Sequence, residues 1–485
     1  MNTIRETLLL FDTPLSRAPS AASLQAQLYE RLQSAILKGQ LAAATRLPGS
    51  RELASALSIS RNTVIAVYEQ LSTEGYVHAS PAGTRVARLS ERPVSAVDDM
   101  PCTVGLARRL EQIGDASALA ESSGALRPGI PALSYFPLST WRRVLDQEIS
   151  HAGTSGLGYG DPLGEPRLRA SLARYLSLSR GVNCTAEQII ITEGTQEALA
   201  LSVRLLTNPG DTAWIEDPGY RGIKTAMRAG DLHIVPKRVD TEGLAVAAAD
   251  WVIAPPRLIY TTPSHQYPMG SVLSVSRRLT LIEQARAHGA WIIEDDYDSE
   301  FRHFGEPVKA MQGLVLNAPV VYIGSFSKTM FPALRLGFMV LPHSLMVATR
   351  ASLTEMLRGG HRHEQLAMAS FIEKGHFSRH LGRMRRLYRE RQQILRTALQ
   401  QFIPMPYELM GGNAGMHLTL RLPAHCCDQK VVEAASRYNM APAALSRYTL
   451  SPLREDNGLV IGYGNTATEL FAPLASRLGQ LLKSA

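Results

Sequence analysis

Cysteines, acidic residues and long apolar runs are all scarce in this sequence of 485 residues. Its four cysteines form no Cys-x-x-Cys pair, so neither a disulfide framework nor a structural zinc site is expected. No apolar run approaches the ~20 residues that a membrane-spanning helix needs. The first residues also lack the basic region and apolar run of a signal peptide. These absences predict a cytoplasmic chain in a reducing compartment, with no membrane partner and no metal.

Charged residues make up 19% of the chain and hydrophobic residues 45%, a composition typical of a folded globular protein. Acidic residues are the minority: 43 Asp and Glu face 51 Lys and Arg, which leaves a net charge of +8. A basic chain is compatible with nucleic-acid binding and equally with an ordinary basic enzyme. At this length we expect about two to four domains.

The first 88 residues predict three helices and a hairpin. Apolar residues recur at helical spacing from residue 24, then in LPGSRELASALS with Ser50 as the expected N-cap, and then in SRNTVIAVYEQLSTEGY. The segment YVHASPAGTRVA predicts a hairpin that turns at Pro81–Gly83. This order is the layout of a winged helix-turn-helix, in which the second helix of the motif enters the major groove.

The third predicted helix begins with side chains that can read bases. Arg61 can pair bidentately with guanine and Asn62 with adenine, while Arg51 can reach a phosphate or a base. Gly83 lies at the predicted wing tip, where its lack of a side chain permits approach to the minor groove. A single arginine here would as easily be a solvated helix end, but the group together favours a DNA interface.

The segments RLPGSRELA, SRNTV, YEQLSTEGY and GTRV resemble the GntR-type winged helix over roughly residues 24–88. The resemblance implies a DNA-binding domain at 1–88 and contacts to double-stranded DNA by Arg51, Arg61, Thr63 and Gly83. It also implies an operator with repeated half-sites. Pro, Ser and mixed charges over 89–125 predict a linker, with a short helix near 104–113.

From about residue 126, apolar runs alternate with helical stretches, which predicts an α/β fold whose parallel strands are buried between helices. The predicted strands are QIIIT (188–192), TAWIE (212–216), RLIYT (257–261), AWIIE (290–294), PVVYIGS (319–325) and GFMVL (337–341). A long basic helix and a mixed α/β tail follow. We predict one domain at 126–485, with a large subdomain at about 180–345 and a small one at about 350–485.

The segment SFSKTMFPALRLG places Lys328 just after a predicted strand, where a lysine can form a Schiff base with an aldehyde. Ser325, Ser327 and Arg335 flank it within reach of a phosphate, for which arginine is a bidentate partner. A surface lysine in a polar loop is the alternative for an isolated S-x-S-K.

Three other segments fit the same cofactor. Gly194, Thr195 and Gln196 lie between a strand and a helix, whose first N–H groups favour an anionic phosphate. Asp295 can pair with a protonated pyridine nitrogen, and Tyr297 can donate to the phenolic oxygen of the ring.

In the segment IEDPGYRG, Tyr220 can stack on the ring face, or else be a core aromatic residue. The acids around Asp295 leave a Ca²⁺ or Mg²⁺ site as a competing interpretation, although no EF-hand spacing is present.

Together these segments resemble fold-type-I pyridoxal-phosphate aminotransferases over about residues 126–485. The S-x-S-K-x6-R pattern is the most specific of them. YGDPLGEPRLR resembles the family segment whose tyrosine reaches the phosphate in the partner subunit, which implies that role for Tyr159 and a homodimer. The order of winged helix, linker and aminotransferase-like domain resembles the MocR/GabR subfamily of transcriptional regulators, in which the aminotransferase fold is a sensor.

Three positions depart from the aminotransferase pattern. Tyr267 stands where the enzymes carry the Asn of Asn-Pro-x-Gly, and Tyr297 follows Asp295 by two residues rather than three. Val460 stands where amino-acid-binding members carry the arginine that binds the substrate carboxylate. Arg421 and Arg447 are candidates to replace that arginine.

Three functions remain open from the sequence. The first is a pyridoxal-phosphate-dependent regulator, and Val460 favours pyridoxal phosphate itself as effector, with vitamin B6 metabolism under control. Its variant is a regulator that responds to an amino acid or amine through an external aldimine. The second is an active aminotransferase with an appended DNA-binding domain, and the third a DNA-binding dimer whose second domain only dimerises. The target genes, and whether the protein activates or represses them, are not readable from the sequence.

Overall fold

The computed structural model divides the chain into two units, Met1–Gly105 and Leu106–Ala485. The structure describes residues 14–81, 83–89, 105, 107–111, 113, 124–305, 308–451 and 456–483. Most of the predicted linker therefore lies outside the described residues. Within it, a short helix at Arg108–Glu111 falls where the sequence predicts one.

The first unit consists of three helices and a hairpin. Its elements are α1 (Leu24–Leu37), α2 (Ser50–Ala56), α3 (Arg61–Thr73), β1 (Val77–Ser80) and β2 (Gly83–Val86). Ser23 and Ser60 cap α1 and α3 by accepting hydrogen bonds from backbone N–H groups two or three residues on. Leu28, Leu32 and Val64 are fully buried where the helices meet. Strand β1 pairs antiparallel with β2.

One expectation for this unit is wrong by a residue. The N-cap of α2 is Gly49 and not Ser50, which is the first helical residue. Gly49 takes the extended conformation of a cap residue without a side-chain hydrogen bond, and the Ser50 hydroxyl instead lies 3.4 Å from Arg61 Nε.

The second unit is a mixed α/β structure. Its helices are α4 (Arg108–Glu111), α5 (Leu138–Ala152), α6 (Pro166–Arg180), α7 (Thr195–Leu206), α8 (Arg221–Ala229), α9 (Asp250–Ile253), α10 (Val275–His288), α11 (His343–Met356), α12 (Arg362–Glu373), α13 (His376–Phe402), α14 (Asp428–Ser436) and α15 (Phe471–Lys483). Its strands are β3 (Ile189–Thr192), β4 (Thr212–Asp217), β5 (His233–Asp240), β6 (Gly243–Leu244), β7 (Leu258–Thr261), β8 (Trp291–Asp296), β9 (Val320–Ser325), β10 (Gly337–Val340), β11 (Glu408–Met410), β12 (His417–Arg421), β13 (Ala443–Ala444) and β14 (Gly458–Gly462).

Eight strands form the large sheet, in the order β3-β10-β9-β8-β7-β4-β5-β6. The neighbours from β9 to β5 are parallel, but β10 is antiparallel to both β9 and β3, which corrects the expectation of parallel strands throughout. The connection from β9 to β10 is too short for the helical crossover that a parallel pair requires. The parallel strands all end at one edge of the sheet.

The remaining strands form a four-stranded antiparallel sheet in the order β11-β12-β14-β13. The 27-residue helix α13 and the helix α15 contribute buried apolar side chains to the same core as β12 and β14. No helix among the residues that the structure describes has the length and hydropathy to cross a membrane.

Candidate functional site

A cavity of about 330 Å³ opens where β7, β8 and β9 end. Nine of the eleven predicted cofactor-binding residues line it: Thr195, Gln196, Tyr220, Asp295, Tyr297, Ser325, Ser327, Lys328 and Arg335. Gly194 adjoins this group beside Arg335. Tyr159 does not line the cavity of its own chain, and its side chain is 94% exposed.

Lys328 follows β9 directly, and its Nζ donates a hydrogen bond to the Gly129 carbonyl oxygen at 2.7 Å. Burial lowers the pKa of this amine, Asp298 opposes that effect, and Arg127 lowers the pKa further. A Cβ on Gly129 would lie 3.2 Å from Nζ, so the glycine leaves the amine its space. A larger neutral fraction makes the amine a better nucleophile toward an aldehyde.

Serine, arginine and backbone N–H groups gather at one end of the cavity. The Ser325 hydroxyl accepts a hydrogen bond from Ser327 N at 3.1 Å, which fixes the turn after β9. Arg335 has a left-handed φ of 52° and donates from Nη2 to the Glu193 carbonyl oxygen at 2.6 Å. A Cβ on Gly337 would lie 2.7 Å from Gly194 Cα, so the two backbones meet because residue 337 is a glycine. This arrangement suits a phosphate.

Asp295 ends β8 on the cavity wall. Its Oδ2 accepts a hydrogen bond from Tyr260 at 2.7 Å, while its buried Oδ1 has no partner among the described residues. Burial raises the pKa of this carboxyl to about 7. A protonated ring nitrogen would satisfy the open oxygen. The lysine, the phosphate-type end and this carboxylate therefore fit pyridoxal phosphate, which supplies an aldehyde and an electron-withdrawing ring when bound.

Tyr297 also lines the cavity, two residues after Asp295. Its hydroxyl lies 3.0 Å from His265 Nδ1, and the same nitrogen lies 2.9 Å from Asp298 Oδ1. The sequence analysis did not single out Asp298 or Tyr260. Their signal was present: both are polar groups at the ends of buried strands, as Asp295 is.

The wall around Tyr267 is aromatic. The Tyr267–Pro268 bond is cis, and the Tyr267 hydroxyl lies 2.9 Å from that of Tyr448. Tyr220 meets Tyr267 edge-on, with ring centroids 6.3 Å apart. His417 completes this wall.

Val460 is fully buried in an apolar cluster with Met269 and Leu445. Neither arginine that could replace the missing cation lines the cavity. Arg421 pairs with Glu408 at 2.8 Å, and Arg447 is exposed.

In the first unit, the predicted DNA-contacting residues lie at the ends of neighbouring elements. Arg51 and Arg61 are exposed in the first turns of α2 and α3, and Thr63 is half-buried. Gly83 begins β2 with a φ of +114°. Arg46, which the sequence analysis did not single out, packs here: a Cβ on Gly83 would lie 2.9 Å from its Nε.

Comparison with known families matches both units. The model of bacterial regulatory proteins of the gntR family matches residues 24–86, and the model of class I and II aminotransferases matches residues 132–474. The probable rhizopine catabolism regulatory protein MocR of Rhizobium meliloti is 38% identical over 459 residues, which cover 90% of this chain and 89% of that protein. The chain belongs to the MocR subfamily of GntR-type transcriptional regulators.

Other relatives of this MocR-type chain include the pyridoxine biosynthesis transcriptional regulator PdxR of Corynebacterium glutamicum. It is 29% identical, and the match covers 94% of this chain and 95% of that protein. Among solved structures, the α-aminoadipate aminotransferase LysN of Thermus thermophilus, complexed with N-(5′-phosphopyridoxyl)-L-leucine, has a TM-score of 0.69 and 26% identity. That match covers 78% of this chain and 97% of that one.

Membership in the MocR subfamily confirms the predicted fold class, a winged helix-turn-helix joined to a fold-type-I aminotransferase-like domain. It also confirms pyridoxal 5′-phosphate as the cofactor and a helix-turn-helix transcriptional regulator as the type of protein.

Proposed function

We propose that this MocR-type regulator senses pyridoxal phosphate itself, through a Schiff base with Lys328, and so controls vitamin B6 metabolism. The burial of Val460 among Met269 and Leu445 carries the proposal. An amino-acid effector needs a partner for its carboxylate, and an unpaired buried charge is costly. The cofactor needs no such partner, because its own groups are met by Lys328 and Asp295.

The proposed signal runs between two sites, which is the requirement for allostery. Occupation of the cavity by pyridoxal phosphate changes the equilibrium of a homodimer, and the winged helices then bind a pair of operator half-sites with altered affinity. Tyr159 is exposed in its own chain, as a residue that serves the phosphate site of a second copy would be. We propose that the protein works in the cytoplasm, where its DNA is.

A second candidate effector is an amino acid or an amine. Arg127 lies close enough to Lys328 to lower the pKa of its amine, so a cation is present beside the reactive group. A carboxylate near Lys328 would be attracted to it. In that case the aminotransferase-like domain would still act as a sensor, and a single transamination half-reaction would be its residual chemistry.

The test is an absorbance titration of the cofactor-free protein with pyridoxal phosphate, followed by gel shifts on operator DNA. Wild type should develop a visible Schiff-base band that Lys328→Ala lacks, and only wild type should change its DNA affinity. Lys374→Ala, which removes an exposed lysine of the same unit, is the matched control.

A panel of amino acids and amines then separates the candidates. A band that none of them changes supports pyridoxal phosphate as effector. A stable shift of the absorbance band with one compound would identify an amino acid or amine as the effector instead. Multiple turnover would show that the protein is an active aminotransferase. No band in wild type would overturn the proposal.

A further inference from the structure

His265, Tyr297 and Asp298 form a cluster of polar side chains behind the cavity. The Tyr297 hydroxyl oxygen lies 3.0 Å from His265 Nδ1, and Asp298 Oδ1 lies 2.9 Å from the same nitrogen. Two members of the cluster, Tyr297 and Asp298, line the cavity, and His265 is 2% exposed. The nitrogen thus has two neighbours that compete for one position.

An imidazole nitrogen carries either one proton or one lone pair, so it makes one good hydrogen bond at a time. A carboxyl group can bond this nitrogen in both cases. A carboxylate accepts a hydrogen bond from the protonated nitrogen, and a protonated carboxyl group donates one to the lone pair. Whichever atom holds the shared proton, Asp298 occupies Nδ1 and Tyr297 cannot donate to it. Burial raises the pKa of Tyr297 well above its ordinary value, so that its hydroxyl keeps a proton to give elsewhere.

We propose that Asp298 is a positioning residue: by occupying His265 Nδ1, it directs the Tyr297 hydroxyl proton into the cavity. The acceptor there is the phenolic oxygen of pyridoxal phosphate, so this inference rests on the proposed function. Without Asp298, the free Nδ1 would accept the Tyr297 proton, and the hydrogen bond to the cofactor would be lost. Asp298 therefore affects the pKa of the Lys328 Schiff base through two other side chains, His265 and Tyr297.

Neighbouring residues pack closely against His265 and Asp298 and hold this cluster in place. A Cβ on Gly415 would overlap the His265 ring and lie 2.5 Å from Asp298 Oδ2, so the backbone at Gly415 backs directly onto the pair. His417 packs on the other side, with its ring centroid 5.0 Å from that of His265. The ionisable groups that also interact with this network include Glu216, Tyr267, Asp295, Asp296, Glu300, His303, Lys328, His417 and Tyr463.

A metal ion is the competing explanation, because ligand atoms of His265, Asp298 and His417 lie within 4.8 Å of one another. Two of the candidate ligand atoms already have partners: His265 Nδ1 is in contact with Asp298, and His417 Nε2 lies 3.1 Å from the Pro268 carbonyl oxygen. His265 Nε2 and Asp298 Oδ2 have no hydrogen-bond partner among the described residues. The experiment below includes this alternative as an outcome.

The test follows the pKa of the Lys328 Schiff base by absorbance, in the full chain loaded with pyridoxal phosphate. Tyr297→Phe should raise that pKa by about one unit or more, because a phenolate without its donor holds the shared proton more tightly. Asp298→Asn keeps a group that can bond Nδ1 and removes only the charge, which by itself lowers the pKa. Asp298→Ala removes both.

We expect the Schiff-base pKa of Asp298→Ala to exceed that of Asp298→Asn by about as much as Tyr297→Phe exceeds wild type. The double variant Asp298→Ala/His265→Leu should return to the Asn value, since nothing then competes for the Tyr297 proton. Equal values for Ala and Asn would overturn the inference. If the Ala variant does not fold, His265→Leu alone decides: a value near wild type supports the inference, and a Phe-like rise refutes it.

Two further outcomes separate this inference from what it rests on. No Lys328-dependent band in wild type would overturn the proposed function as well, whereas a normal band with equal Ala and Asn values would overturn the inference only. A wild-type pKa that moves with EDTA and returns with Zn²⁺ would assign the three groups to a metal ion instead.

Discussion

Asp295 is a buried residue whose charge destabilises the fold when no cofactor is bound. Burial raises its pKa to about 7 in the folded chain, against about 3.9 in an unfolded one. The folded state therefore binds the proton more tightly, and the stability that this proton provides is present at low pH. It is lost as the pH rises from the unfolded pKa through the folded one.

Asp295→Asn should accordingly stabilise the cofactor-free protein more at about pH 8.5 than at about pH 6, by a difference of about 1.4 kcal/mol. Thermal unfolding at the two pH values measures it. The exposed Asp146→Asn on α5 should show no such difference. In the protein loaded with pyridoxal phosphate, we expect Asp295→Asn to be less stable than wild type. The amide cannot supply the negative charge that a protonated ring nitrogen needs. A pH-independent effect of Asp295→Asn would contradict this account.

We propose that Arg61 contributes most to the recognition of the DNA sequence. Its guanidinium is exposed in the first turn of α3, where side chains of a recognition helix meet base edges. Arg61→Ala should abolish specific operator binding, with a loss of about 1–3 kcal/mol or more of discrimination. Gel shifts with competitor DNA measure it, beside Lys38→Ala, which removes the same charge from the end of α1. Equal losses of operator affinity in the two variants would show that Arg61 contributes only its positive charge and does not read the sequence.

At the scale of elements, the wing depends on the backbone of Gly83. Its φ of +114° is one that side chains rarely adopt, and a Cβ there would lie 2.9 Å from Arg46 Nε. Gly83→Ala should lower the free energy of unfolding of the first unit by about 1 kcal/mol or more and displace Arg46.

Two other glycines separate the causes. Gly39 has a φ of +71° with nothing within 4 Å, and Gly49 has neither constraint. Chemical denaturation of all three Ala variants should rank the losses Gly83, Gly39, Gly49. A Gly83 variant no worse than Gly39→Ala would show that the contact with Arg46 is of no energetic weight.

The periodicity of the sequence predicted most elements, and its failures have physical reasons. The antiparallel direction of β10 could not be predicted, because its sequence is as apolar as those of the neighbouring strands. A strand that is buried on both faces has the same apolar pattern in either direction. Strand β5 was missed since it carries charged residues and a proline near the edge of the sheet. The three-residue cavity network was missed for another reason: pairing across 33 positions, as between His265 and Asp298, leaves no trace in local spacing.

At the scale of the whole molecule, the proposed dimer makes a prediction that a monomer cannot satisfy. If Tyr159 serves the cavity of the second copy, a heterodimer of Lys328→Ala and Tyr159→Ala has one intact site and one with both changes. Co-expression with random pairing makes about half of the dimers heterodimers, so it should restore about a quarter of the wild-type Schiff-base absorbance at a cofactor concentration where neither parent shows it. The same mixture of subunits would show no recovery if Tyr159 served its own chain, or no chain at all.

The contact of Gly194 with Gly337 has a consequence for how such sensors diversify. One end of the cavity is built from main chain at this contact, and a side chain at Gly337 would press on the Gly194 backbone. A substitution of Gly337 would therefore change the dimensions of that end. The wall at Tyr220, Tyr267 and His417 consists of side chains instead. Substitutions there can reshape the cavity for a new effector one residue at a time, whereas a substitution of Gly337 would disturb the end that suits the phosphate.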